Sequence, residues 1–146
     1  MPHTLAAQLG QSIFLIVIAL SAWKGGRTER VAAAALFVQL IFSSLVNHTD
    51  GFSLEGGVLL ADVAALIIFV WLAFGSNRRW TLWATAFQAL AVLTHFARML
   101  DPSLHQWAYM STAIFWGYAV LCALGVGTAQ AALERRREAA ARSEAV

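Results

Sequence analysis

The chain has 146 residues, 60% hydrophobic and 12% charged, with a mean hydropathy of +0.66. A soluble domain carries roughly 45–50% apolar and about 25% charged residues, so the composition excludes an ordinary soluble fold and predicts an all-α integral membrane protein of one domain. A net charge of +2 is too small to attract nucleic acid, and the single cysteine, Cys122, excludes an intrachain disulfide.

Five apolar segments are read along the chain, at about 5–23, 31–47, 53–74, 80–100 and 104–133. A helical span needs about 17–25 such residues. No Lys or Arg precedes Lys24, so the first segment lacks the positive region of a cleavable signal and reads as a true helix. The connection 24–30 is basic, 48–55 is acidic, 75–79 is basic, and Asp101 leads the connection before the fifth segment. Nine of the ten Lys and Arg residues then fall on one side, and only Arg98 falls on the other. The positive-inside rule places the N-terminus outside and the C-terminus in the cytosol of a plasma or inner membrane. The expected architecture is a five-helix up-down transmembrane bundle over 1–133, followed by a basic cytosolic tail over 134–146.

Local chemistry fits these boundaries. Trp23, Trp80 and Trp83 fall at the expected cytosolic interface and Trp107 at the outer one, where indole rings anchor. Trp71 and Trp116 read as packing residues. Asp50-Gly51 marks a turn, Ser53 is placed to cap the third helix, and Asp101-Pro102 ends the fourth, with Ser103 placed to cap the fifth. Asn47-His48-Thr49 matches a glycosylation acceptor at the membrane surface, a pattern common by chance.

The fourth segment carries Gln88, His95 and Arg98 at intervals of seven and three, which set an amide, an imidazole and a guanidinium on one helical face. Polar and charged groups inside lipid are costly and face a protein interior or a cavity. Helix directions bring the outer half of the third segment, with Asp62, to the same depth. Asp62, His95, Arg98 and Gln88 are therefore the expected polar centre, an ion or proton site, with Arg98 the expected partner of Asp62. Gln39, Ser43 and Asn47 on the second segment, Gln8 and Ser12 on the first, and Tyr118 and Cys122 on the fifth extend the expected polar seam, as do Thr85 and Thr81 on the fourth.

His48 ends the second segment on the same side as His95. Together with Asp62 they form a candidate metal or haem ligand set by residue type, although no diagnostic ligand spacing is present. His105 and His3 read as solvated and terminal residues. Phosphate loops, nucleophile elbows and Ser/His/Asp arrangements are absent from the sequence, and Cys122 sits in apolar surroundings that do not activate a thiol, so the reading leans away from an enzyme. Ala119, Ala123, Gly127 and Ala131 form a small-residue stripe that lets a neighbouring helix approach closely.

Three functional readings follow, in this order. The first is a non-enzymatic accessory or assembly subunit of a membrane complex, with other subunits or a second copy as partners besides the lipid. The second is a small cation or proton transporter or channel using Asp62 and His95. The third is an electron carrier whose haem or divalent metal is held by His48 and His95.

Overall fold

The computed structural model describes residues 5–46, 54–101 and 103–144, with side chains over 9–45, 56–101 and 103–144. The described chain is helical: α1 Leu5–Lys24, α2 Arg27–Val46, α3 Leu54–Gly75, α4 Arg79–Leu100 and α5 Gln106–Glu144. Consecutive helices pack against one another, and α5 closes the ring against α1 while also touching α2. Arg27–Leu45, Gly56–Gly75 and Gln106–Glu144 are long and apolar enough to cross a membrane. The apolar part of α1 described with its side chains, Leu9–Lys24, is shorter. On α4 the buried positions Trp80, Ala84, Gln88, Ala91 and His95 follow helical spacing and turn one partly polar stripe inward.

One boundary differs from the sequence expectation. The second helix starts at Arg27, not near 31, so the connection from α1 shrinks to Gly25-Gly26. The cause is local. Gly26 stands at the N-cap position and Glu29 at the third helical position, and the Glu29 carboxylate accepts the Gly26 N–H at 2.9 Å, one half of a capping box. Gly25 donates its N–H to Ser21 O at 2.9 Å. A Cβ at Gly25 would stand 2.2 Å from that carbonyl oxygen, so this close turn requires glycine.

The fifth helix runs unbroken to Glu144. At 1.5 Å per residue its 39 residues extend about 58 Å, nearly twice the roughly 30 Å hydrocarbon thickness of a bilayer. Its distal part is tied back to the bundle. Arg78 pairs with Glu134 at 2.7 Å, and Arg135 donates to Gly25 O at 3.4 Å. The Arg78–Glu134 pair is partly exposed and contributes little, about 0–1 kcal/mol.

Ser103 does not cap α5. Its N–H and hydroxyl both donate to the Asp101 carboxylate in the turn between α4 and α5. These bonds, the hydroxyl's first, hold the Asp101 carboxyl below the usual range, with nearby Arg98 adding to the effect against slight desolvation.

The packed core occupies one end of the bundle. Ile18, Leu36, Phe69, Leu72, Val120 and Leu124 belong to a single cluster; the first four lie in the halves of α1, α2 and α3 nearest Gly25-Gly26 and Arg78, and Val120 and Leu124 stand near the middle of the long α5. Glu29 is buried there at 1% exposure and Trp80 at 2%. The Trp80 indole N–H donates to Glu29 Oε1 at 3.0 Å. Trp80 is therefore a core residue, not the interfacial anchor its position suggests, whereas Trp23, Trp83 and Trp107 are exposed. Trp71 also faces outward, contrary to the packing expectation, while the Trp116 ring lies against Phe87 and Phe115. Deeper in the same end, Thr128 donates to Ser21 Oγ at 2.8 Å.

The small-residue stripe of α5 is used inside the chain. Ala123, Gly127 and Ala131 are buried, and Ala119 is half-buried. A Cβ at Gly127 would stand 2.5 Å from the Trp80 ring. Gly127→Ala must push the indole off Glu29, and such overpacking costs about 1–3 kcal/mol. The expected result is a lower thermal midpoint in detergent. Gly125→Ala, where nothing lies within 4 Å of the new carbon, is expected to be neutral or stabilising by up to about 1 kcal/mol through helix propensity. Equal midpoints for the two variants would refute this packing.

Candidate functional site

The opposite end of the bundle is hollow. A cavity of about 420 Å³ is lined from all five helices, with Phe14 on α1, Gln39 on α2, Asp62 on α3, His95 on α4 and Tyr109 on α5. Its base is formed by residues shared with or next to the core, such as Leu36 and Val120.

At its wall stands a buried carboxylate. Asp62 and His95 are each 5% exposed. Asp62 Oδ2 lies 2.6 Å from His95 Nε2. Gln88 Nε2 donates to Asp62 Oδ1 at 3.0 Å and to the Asp62 backbone carbonyl at 3.2 Å, and Gln39 Nε2 donates to the same Oδ1. Three side chains from two helices, α2 and α4, thus supply donors to one acidic group on α3. Desolvation of a carboxylate is tolerated when charge-assisted bonds of this kind replace water.

The network continues into α5. His95 Nδ1 lies 2.7 Å from the Tyr109 hydroxyl, and the two rings meet edge to face, at 79° and 5.5 Å between centroids. Both imidazole nitrogens are engaged. With His95 neutral, Nε2–H donates to Asp62 while Nδ1 accepts from the tyrosine hydroxyl. With His95 protonated, both nitrogens donate and the hydroxyl oxygen accepts. The same heavy-atom positions serve both states, so a proton can be gained or lost without rebuilding the site.

The structure sorts the expected site residues. Asp62, His95 and Gln88 come together as expected. Arg98 goes elsewhere: it donates to Leu104 O and lies 3.5 Å from Gln106 Oε1, with its guanidinium 5.9 Å from the centroid of the Tyr109 ring. His95 stands where Arg98 was expected beside Asp62. The reach of the guanidinium carries it over the first turn of α5. Tyr118 and Cys122 are exposed and lie beside a separate groove between α4 and α5, so the expected seam does not include them. Gln39 and Ser43 do line the cavity, and Thr81 is buried at the packed end. Ser12 is exposed, as is His105. His48, Asn47, Ser53 and His3 lie outside the described residues, as does the side chain of Gln8. Among the described residues no three His, Cys, Asp or Glu side chains are grouped to hold a metal ion.

Tyr109 and Glu29 are the residues sequence reasoning missed. Tyr109 had a usable signal, since it falls in the first turn of the fifth helix, beside the His95 end of the fourth. Glu29 had none, because a glutamate between Arg27 and Arg30 looks like ordinary loop charge.

Replacing Gln88 with Leu removes two donors to Asp62 at similar volume. Loss of a partner to a buried charged group costs about 1–3 kcal/mol or more. The unfolding midpoint of Gln88→Leu in detergent is expected to fall accordingly; an unchanged midpoint would show that the Gln88 amide does not support the carboxylate.

Comparison with protein-family models, with curated proteins and with solved structures gives no match.

Proposed function

We propose that this chain is a five-span membrane protein, N-terminus outside and C-terminus cytosolic, that takes up and releases a proton at the Asp62–His95 couple in the course of moving a small cation. The observation that carries this reading is the Asp62–His95–Tyr109 relay set in the wall of a cavity. Ionisable groups buried among apolar helices mark ion pathways and proton relays, and here the relay adjoins a space that a solute can enter.

The accessory-subunit reading needs the polar centre only as glue between helices. Glue is best served by close packing, and a cavity beside it lowers the contact it provides. The haem or metal reading requires a free imidazole nitrogen on His95, yet Asp62 and Tyr109 occupy both. An Asp62 bond to Nε2 would suit a ligand bound through Nδ1, but Tyr109 holds that position.

Function is tested in proteoliposomes loaded with a pH-sensitive dye. A positioned proton-transfer group contributes about 100- to 10,000-fold, so Asp62→Asn is expected to slow the collapse of an imposed pH gradient by roughly a hundredfold while the protein still reconstitutes. Equal rates for the two proteins would remove the reading.

Orientation is tested separately, in a Cys122→Ala background. Ser103→Cys is expected to react with a membrane-impermeant thiol reagent in intact cells, and Ser143→Cys only after lysis. The reverse pattern would invert the topology, and reaction of both in intact cells would show that α5 does not cross the membrane between them.

A further inference from the structure

We propose that the cavity is a binding site for a small organic cation, a protonated amine on an apolar body, and that this cation and a proton compete for the Asp62–His95 couple. The inference rests on the proton reading above and names what the site carries.

The sign of the ligand charge follows from how donors and acceptors are used. Gln39 Nε2, Gln88 Nε2 and His95 Nε2 are all turned onto Asp62. The donors at this wall are therefore spent within the protein. What remains is acceptor capacity: the Asp62 carboxylate and Gln39 Oε1, which has no hydrogen-bond partner among the described residues. Among the described residues no Lys or Arg side chain lines the cavity. An anion entering here meets no free charged donor, whereas an ammonium group meets a carboxylate and an amide oxygen.

The body of the ligand follows from the other wall. Phe14, Leu36, Val58, Met110 and Ile114 present apolar surface, which suits hydrocarbon and not a hydrated metal ion. One carboxylate also falls short of the several oxygens that hard divalent cations need. A volume of about 420 Å³ lies in the range of small-molecule sites, about 300–1,000 Å³.

Competition follows from charge balance. Among the described residues, the titratable groups facing the cavity are Asp62 from α3, His95 from α4 and Tyr109 from α5, and the lining residues of α1 and α2 contribute none. Arg98, one turn beyond His95, lies over the Tyr109 ring and is bonded to Leu104 O. With His95 protonated the couple is neutral, and with His95 neutral it carries one negative charge. Net charge against an apolar wall is costly. An entering ammonium donates its N–H to the carboxylate, and the His95 proton departs to water, so one proton is released for each cation bound. The bond broken is the His95 N–H and the bond formed is an O–H of the accepting water, while the ammonium keeps its own protons.

The test uses the purified full chain in detergent, with hexylammonium, uncharged hexanol and anionic hexanoate as probes. Calorimetry in two buffers of different ionisation enthalpy reads affinity and proton release together. Hexylammonium is expected to bind and release one proton, with affinity falling about tenfold per pH unit lowered over the range in which that proton is released, as one-proton competition requires. Hexanol and hexanoate are expected not to bind. Asp62→Asn is expected to lose binding. So is Gly117→Leu, because Gly117 lines the cavity and has nothing within 4 Å of where its Cβ would stand; this variant is expected to keep its melting transition. Equal binding of the three probes, binding without proton release, or full binding by Gly117→Leu would overturn the proposal. Failure of hexylammonium to bind while Asp62-dependent proton flux persists would overturn the cation assignment alone. Loss of that flux dependence would instead strike the proton reading beneath it.

Discussion

The structure depends on keeping one carboxylate satisfied out of water. Asp62 reaches this state through Gln39, Gln88 and His95, from α2 on one side and α4 on the other. Each of these bonds fixes a rotation and a height, so α2, α3 and α4 can sit in only one mutual register if the carboxylate is to be covered. Hydrophobic contact alone would not choose that register in an apolar exterior, where sliding one leucine past another changes little.

A second buried carboxylate does related work at the other end. Glu29 accepts from Gly26 N–H and from the Trp80 indole, and its position near the start of α2 is favoured by the helix dipole. Trp80 in turn lies flat against Gly127. A short chain of contacts therefore links the α1–α2 turn, α4 and α5, and the hydrophobic cluster fills the space around it. Gln88 is eight residues beyond Trp80 on the same stripe of α4, or roughly 12 Å along the helix at 1.5 Å per residue. Over that distance the bundle passes from close packing to a cavity.

Much of this was legible in the sequence, for physical reasons that also explain the failures. Gln88 and His95 stand out because helical spacing fixes their shared face, and Asp62 because alternating helix directions fix its depth. Arg98 shares that face, but its long side chain makes Cα position a poor guide to where the charge ends up, and it reaches over Tyr109 toward the turn. Trp80 is a different case: its place at a helix start suits an interfacial anchor, and only the depth of Glu29, unreadable from a run of charged residues, turns it inward. The early start of α2 has the same origin, since the helix begins where Glu29 can reach back to Gly26. The small-residue stripe was legible as a contact surface, but which neighbour it serves is a property of the ring closure between α5 and its partners.

The contrast between the two carboxylates identifies which of them is suited to change state. Glu29 is held by a backbone N–H and an indole N–H, two groups that never give up a proton under ordinary conditions. Both are fixed donors, which suits a structural pin. Asp62 instead faces an imidazole whose other nitrogen meets a phenol. That arrangement accepts either protonation state with the same heavy-atom positions, and it borders open space instead of packed side chains. Close packing at the Glu29 end anchors the helices, which in turn lets the Asp62 end remain hollow without losing its geometry.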